Sequence, residues 1–134
     1  MNEPTWVLRE VILAYHDFLL AQHGGASGLR NETMFDSAIS RPVNLRAYGR
    51  PNYFELAAAY AFGLVKNHPF VDGNKRIGYA VAILFLEVNG HCFHASEPDA
   101  VLRTLALAAG EMTELAFAVW LQANTTPPTT SPQM

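Results

Sequence analysis

Two long segments, FELAAAYAFGLV from Phe54 and IGYAVAILFLEV from Ile77, are apolar almost all round when wound as helices. A helix with no polar face cannot lie on the surface of a domain in water and belongs at its centre. The two are consecutive. Between them the chain reads NHPFVDGNKRIG, Asn67 to Gly78, which crowds histidine, aspartate, asparagine, lysine and arginine into one short connection. That connection is mounted between the two innermost helices, and a loop on a rigid mount is where chemistry is usually carried.

The remaining sequence also reads as helix. Residues 5–22 carry apolar positions at helical spacing until Gly24-Gly25 stops them. Asn31 caps a short helix expected to end before Arg41-Pro42, because proline breaks a helix interior. A loop over residues 44–53, broken by Gly49 and Pro51, leads to Asn52, which has Glu55 three residues on in the pattern of a capping box. The second apolar helix spans residues 75–89 and stops at Gly90. HCFHA, 91–95, reads as a short extended piece with no evident strand partner. Ser96-Glu-Pro-Asp99 opens a helix over 97–109, and another follows over 113–124. The expectation is an all-α, single compact domain of about six helices over residues 1–124, with a disordered tail over 125–134, TTPPTTSPQM.

Composition narrows the function. A length of 134 residues suits one domain, and half the residues are apolar, as globular chains require. The net charge of −3 opposes general nucleic-acid binding, which needs a basic surface. Cys92 is the single cysteine, so no intrachain disulfide forms, and a reducing cytoplasm is the expected compartment. The N-terminus MNEPTWVLRE lacks a basic leader. The apolar run Ile77 to Leu86 is too short for a membrane helix of about 20 residues.

The connection itself offers a coherent set of groups. Gly73 permits a sharp turn that brings bare backbone to a ligand, and Asn74 tolerates the same geometry or caps the next helix. The helix that follows presents unpaired N–H groups and the positive end of its dipole, an anion site. Lys75 and Arg76 add cations where the dipole alone prefers acids, which suggests a polyphosphate guest. Asp72 beside a phosphate implies a bridging Mg²⁺. His68 is placed to take a proton from a hydroxyl, while Pro69 and Phe70 fix the turn and anchor it. The structural alternatives are that Asp72 pairs with Lys75 or Arg76 or caps at Asn74, and that His68 is a satisfied helix-end residue.

These residues match the motif of the Fic/Doc superfamily, HPFx(D/E)GN(G/K)R. More closely, the chain resembles the Doc (death-on-curing) toxins of bacterial toxin–antitoxin pairs. The likeness also rests on HDFLLAQHGGASGLRNE, SAISRP, AYGRPNYFELAAAYAFGLVKNHPFVDGNKR and LFLEVNG, and runs from about Leu8 to Trp120. The resemblance implies that His68 is the general base, Asp72 the Mg²⁺ ligand, Gly73 and Asn74 the anion-hole turn, Arg76 a phosphate-binding cation and Phe70 the core anchor. Fic enzymes that transfer AMP usually have glycine at the position of Lys75 and a second arginine at that of Tyr79. Lysine without the second arginine is the Doc pattern, in which ATP binds the other way round and its γ-phosphate goes to a protein hydroxyl. The implied target is a threonine of elongation factor Tu, with inhibition of translation as the result. Gly73, often alanine in Doc sequences, is the Fic-like letter. The pattern (S/T)xxx(E/D)(G/N) of an internal inhibitory helix is missing here, so the implied inhibitor is an antitoxin acting in trans through a segment that folds on binding. The rivals are a Fic-type AMP or other nucleotidyl transferase, and a non-catalytic module that binds a nucleotide or partner.

Outside the motif, His16 is expected to pack structurally on the centre. His91, Cys92 and His94 are spaced unlike a tetrahedral zinc set. The loop 44–53, with Arg46, Tyr48 and Arg50, is a candidate flap over a target peptide.

Overall fold

A computed structural model of the chain describes residues 3–126. Among the described residues there are six helices: α1 (Arg9–His23), α2 (Glu32–Tyr48), α3 (Tyr53–Asn67), α4 (Asn74–Val88), α5 (Glu97–Ala109) and α6 (Glu114–Ala123). The all-α class is therefore correct, with one small addition. Cys92–Phe93 (β1) pairs antiparallel with Thr125–Thr126 (β2). The extended piece thus has a partner, and it comes from the first residues of the expected tail. The rest of that tail, 127–134, lies outside the described residues.

The two apolar helices are the centre. α3 buries Leu56 through Ala61, Gly63, Leu64 and Val65, and α4 buries Ile77, Gly78, Ala80 to Ala82, Phe85 and Leu86. α3 packs against α2, α4 and α6. Small residues make those approaches possible. A Cβ on Gly63 would stand 2.9 Å from the Ala38 carbonyl oxygen of α2, and one on Gly78 would stand 2.8 Å from Val65 Cγ2 and 3.2 Å from the Ala61 oxygen. Each glycine therefore marks a point where two helices meet almost backbone to backbone.

The sequence expectation for α2 is corrected. The helix does not end before Arg41-Pro42 but continues through Pro42 to Tyr48. A proline inside a helix costs about 3 kcal/mol locally and leaves the carbonyl four residues back, here Ala38, without its usual donor. Pro42 is buried, and Arg41 beside it is tied to Glu114 of α6 by an ion pair and lies 4.6 Å over the Phe62 ring. Tertiary packing on α3 and α6 outweighs the local penalty.

This also removes the flap. Asn44 to Tyr48 are helical, and only residues 49–52 connect to α3. That connection meets the N-terminus of α3, whereas His68 follows its C-terminus, roughly 20 Å away for a helix of this length. Arg46, Tyr48 and Arg50 are thus at the far end of the core from the motif.

α1 begins later than expected because the preceding backbone is engaged elsewhere. Thr5 N–H donates to Asn89 Oδ1 (2.8 Å), Asn89 Nδ2 donates to Thr5 O (2.9 Å), and Val7 N–H donates to the Tyr60 hydroxyl oxygen (3.1 Å). Burial pushes the Tyr60 hydroxyl pKa up to about 12. Among the described residues, no helix is long and apolar enough to cross a membrane.

Candidate active site

The connection between α3 and α4 is anchored at Phe70, which is 1% exposed. Its ring stacks under His16 of α1 at 3.7 Å and meets Phe35 of α2 edge-on at 5.4 Å. Burying a phenylalanine contributes about 1.5–3 kcal/mol, so this side chain alone holds much of the loop down. His16 does a second job. Its Nε2–H donates to the Asp72 carbonyl at 2.8 Å, since a carbonyl can only accept. The expected structural role of His16 is therefore specific: it pins the outer arm of the loop.

A second strand of chain, Gly24 to Asn31, straps the loop from outside. Leu29 and Phe70 form an antiparallel bridge, Val71 N–H donates to Gly28 O (3.0 Å), and Arg30 N–H donates to Pro69 O (2.6 Å). Gly24, Gly25 and Gly28 all have positive φ, which lets this strap turn tightly. The Arg30 side chain reaches the end of α3: Nε donates to His68 O (2.8 Å) and a terminal nitrogen donates to Asn67 O (3.1 Å). A cation there satisfies orphan carbonyls and complements the helix dipole.

That support matters because His68 is strained. It has φ 52° and ψ 52°, and among the described residues no other non-glycine has positive φ. The left-handed conformation costs about 1–2 kcal/mol for a side chain of this kind and is a feature that clusters at functional sites.

Asn74 does not use its side chain to cap α4, one of the roles the sequence allows it. It is 3% exposed, and its amide folds back into the loop. Oδ1 accepts Phe70 N–H (2.9 Å), while Nδ2 donates to Phe70 O (2.9 Å) and to His68 Nδ1 (3.1 Å). The N-cap of α4 is Gly73 (φ 78°), which supplies no capping side chain, whereas Asn31, Asn52, Ser96 and Thr113 cap α2, α3, α5 and α6. The first-turn amides of α4 thus remain available.

Lys75 and Arg76 are exposed on that turn. Among the described residues neither forms an ion pair. Asp72 does not pair with them. Its Oδ1 accepts Gly73 N–H (3.0 Å) and its Oδ2 accepts Ala26 N–H (3.3 Å). Two cations and a helix N-terminus are left without a counter-charge, the electrostatic profile of an anion site.

The residue range 6–86 matches the Fic/DOC family. The chain belongs to the Fic/DOC family. It is similar to Toxin Doc of Mycolicibacterium smegmatis, 40% identical over 70 residues that cover 50% of this chain and 53% of that relative. The chain thus aligns with about half the length of the curated relative. The family match takes in α1 to most of α4, and α5 and α6 lie beyond it.

Around this Fic/DOC motif two cavities open, and Lys75 lines both. One, of about 560 Å³, holds His68, Lys66 and Glu111 with Leu102 and Leu105 of α5. The other, of about 590 Å³, lies between α1, α4 and α5 and is walled mainly by apolar and aromatic groups, among them Tyr15, Leu19, Tyr79 and Ile83, with Arg76 also on its wall. The Tyr79 hydroxyl pKa is raised by burial and then by Glu97, Glu87 and Tyr15.

His91, Cys92 and His94 do not converge. His91 is half-buried against Tyr53 (4.9 Å) and Phe54 (5.2 Å), while Cys92 and His94 are exposed. Sequence reasoning missed Arg30 and the strap. The glycines of GGASG were the available signal, read only as a helix stop.

Proposed function

We propose that the chain is a Doc-like toxin of a toxin–antitoxin pair, a protein kinase that transfers the γ-phosphate of ATP to a protein hydroxyl. The expected acceptor is a threonine of elongation factor Tu, and the outcome is inhibition of translation in the cytoplasm. The observation that carries this reading is the position of Lys75 between the two cavities. A nucleoside suits the apolar, tyrosine-lined cleft, and phosphates suit Lys75, Arg76 and the α4 amides. His68 lines the other cavity together with Lys75, so a phosphate chain that starts in the cleft and passes Lys75 would present its terminal phosphorus to His68.

In that arrangement His68 takes the proton of the incoming hydroxyl, the hydroxyl oxygen attacks the terminal phosphorus, and ADP departs. Asp72 fits a Mg²⁺ that comes with phosphates: it is one exposed carboxylate, each oxygen of which retains lone pairs beyond its backbone hydrogen bond. Such an ion, when bound, neutralises charge on the phosphates. A Fic-type transfer of AMP would need the α-phosphate at His68, which in this nucleoside placement is the wrong end of the chain. A cognate antitoxin supplies restraint in trans.

Induced expression of the His68→Ala variant tests the proposal. Growth inhibition should disappear while the purified protein keeps its helical spectrum and melting temperature. A variant as toxic as the parent would refute general-base catalysis and favour a binding module.

A further inference from the structure

The contacts of Asn74 determine which nitrogen of His68 carries the proton. The amide of Asn74 makes a two-point contact with the backbone of Phe70: the N–H of Phe70 requires the amide oxygen, and its carbonyl requires the amide nitrogen. A flip of the amide would place donor on donor and acceptor on acceptor, so its orientation is fixed by chemistry. Burial of the residue, 3% exposed, removes water as a substitute partner. The second proton of Nδ2 is then directed at His68 Nδ1, 3.1 Å away. A ring nitrogen that receives a hydrogen bond must hold a lone pair.

We infer that Asn74 is a positioning residue that fixes the neutral tautomer of His68, with the proton on Nε2 and the lone pair on Nδ1. The left-handed backbone at His68 belongs to the same device. Arg30 holds the carbonyls of Asn67 and His68, and Asn74 holds the ring, so strain at one residue is secured from both sides. One consequence rests on the proposed role of His68 as base. In the free protein its basic lone pair is occupied by the Asn74 amide, and Nδ1 accepts a hydroxyl proton only after that hydrogen bond opens. Breaking the hydroxyl O–H and forming Nδ1–H gives an imidazolium protonated at both nitrogens.

Two-bond ¹H–¹⁵N correlation spectra of the ¹⁵N-labelled protein, recorded above the histidine titration range, test the tautomer without any substrate. For His68, assigned by its loss in His68→Ala, Nδ1 should show the downfield shift of an unprotonated ring nitrogen and Nε2 the upfield shift of a protonated one. The opposite assignment, or averaged shifts of a tautomer mixture, overturns the inference. Asn74→Asp supplies a second arm: a carboxylate can accept from Phe70 but offers no proton to Nδ1, so the two shifts should exchange as Nδ1–H becomes the donor. An unchanged tautomer in a folded Asn74→Asp variant would show that Asn74 does not set it. Because neither readout involves turnover, a correct tautomer with no phosphate transfer would defeat the kinase reading alone.

Discussion

Replacing Gly63 by alanine sets two opposing effects against each other, and their sizes differ enough to give a clear sign. Alanine in place of glycine inside a helix gains about 1 kcal/mol of propensity. Against this, the added Cβ would lie 2.9 Å from the Ala38 oxygen, 3.1 Å from Ala38 Cα and 3.3 Å from Ala38 Cβ. All three atoms belong to or adjoin the α2 backbone, so no rotamer change relieves the contact. α2 cannot swing away freely, since Arg41 ties it to α6 and Phe35 and Pro42 are buried along it. Overpacking of this kind costs about 1–3 kcal/mol, and with a rigid neighbour the upper half of that range applies. The net expectation is a loss of about 1–2 kcal/mol. For a domain of this size that lowers the melting temperature by roughly 3–8 °C. Urea unfolding followed by circular dichroism measures it directly, with the midpoint expected to fall at unchanged slope. A Gly63→Ala protein more stable than the parent by the propensity gain would refute the backbone-to-backbone account of the α2–α3 crossing.

The other predictions concern the site and its supports. Arg30→Ala removes two hydrogen bonds to the end of α3 and the cation that faces its dipole, a loss of about 1 kcal/mol for an exposed group. Catalysis should fall much further than stability, and Arg30→Lys should restore the charge but not the paired contact, as kinetics beside urea midpoints will show. His16→Phe keeps a ring to stack on Phe70 but has no N–H for the Asp72 carbonyl, so the melting temperature should drop little while hydrogen exchange at residues 71–73 accelerates. Burial lowers the His91 pKa below 6.5, so the folded protein binds fewer protons there than the unfolded chain does. Stability from this source is full above that value and declines as pH falls through it. Further down, Asp99, whose pKa is lowered first by the Trp120 hydrogen bond and also by Arg103, adds a second loss as pH falls below its ordinary 3.8. His91→Phe should flatten the first decline and leave the second, read from urea midpoints against pH.

The parts legible in the sequence were those with local causes. Two runs with no polar face had to be central, and Asn31, the Asn52–Glu55 capping box and Ser96 announce helix starts by chemistry confined to four residues. The composition of the motif loop pointed to the site for the same reason. What escaped depends on partners distant in sequence. Pro42 stays helical because α3 and α6 hold α2 in place, and β1 finds its partner more than thirty residues later in β2. The inward turn of Asn74 follows from the buried backbone of Phe70, which no spacing rule exposes. Arg30 was invisible because a strap reads as an ordinary glycine-rich loop until the α3 terminus is seen beside it.

The most direct test follows the transferred group. The purified protein is incubated with elongation factor Tu, Mg²⁺ and ATP labelled at either the α- or the γ-phosphate, and label on the acceptor is counted. Placement of the nucleoside beyond Lys75 and of His68 at the terminal phosphate predicts label from the γ-position only, lost in His68→Ala. Label from the α-position only would contradict it and make the chain a nucleotidyl transferase.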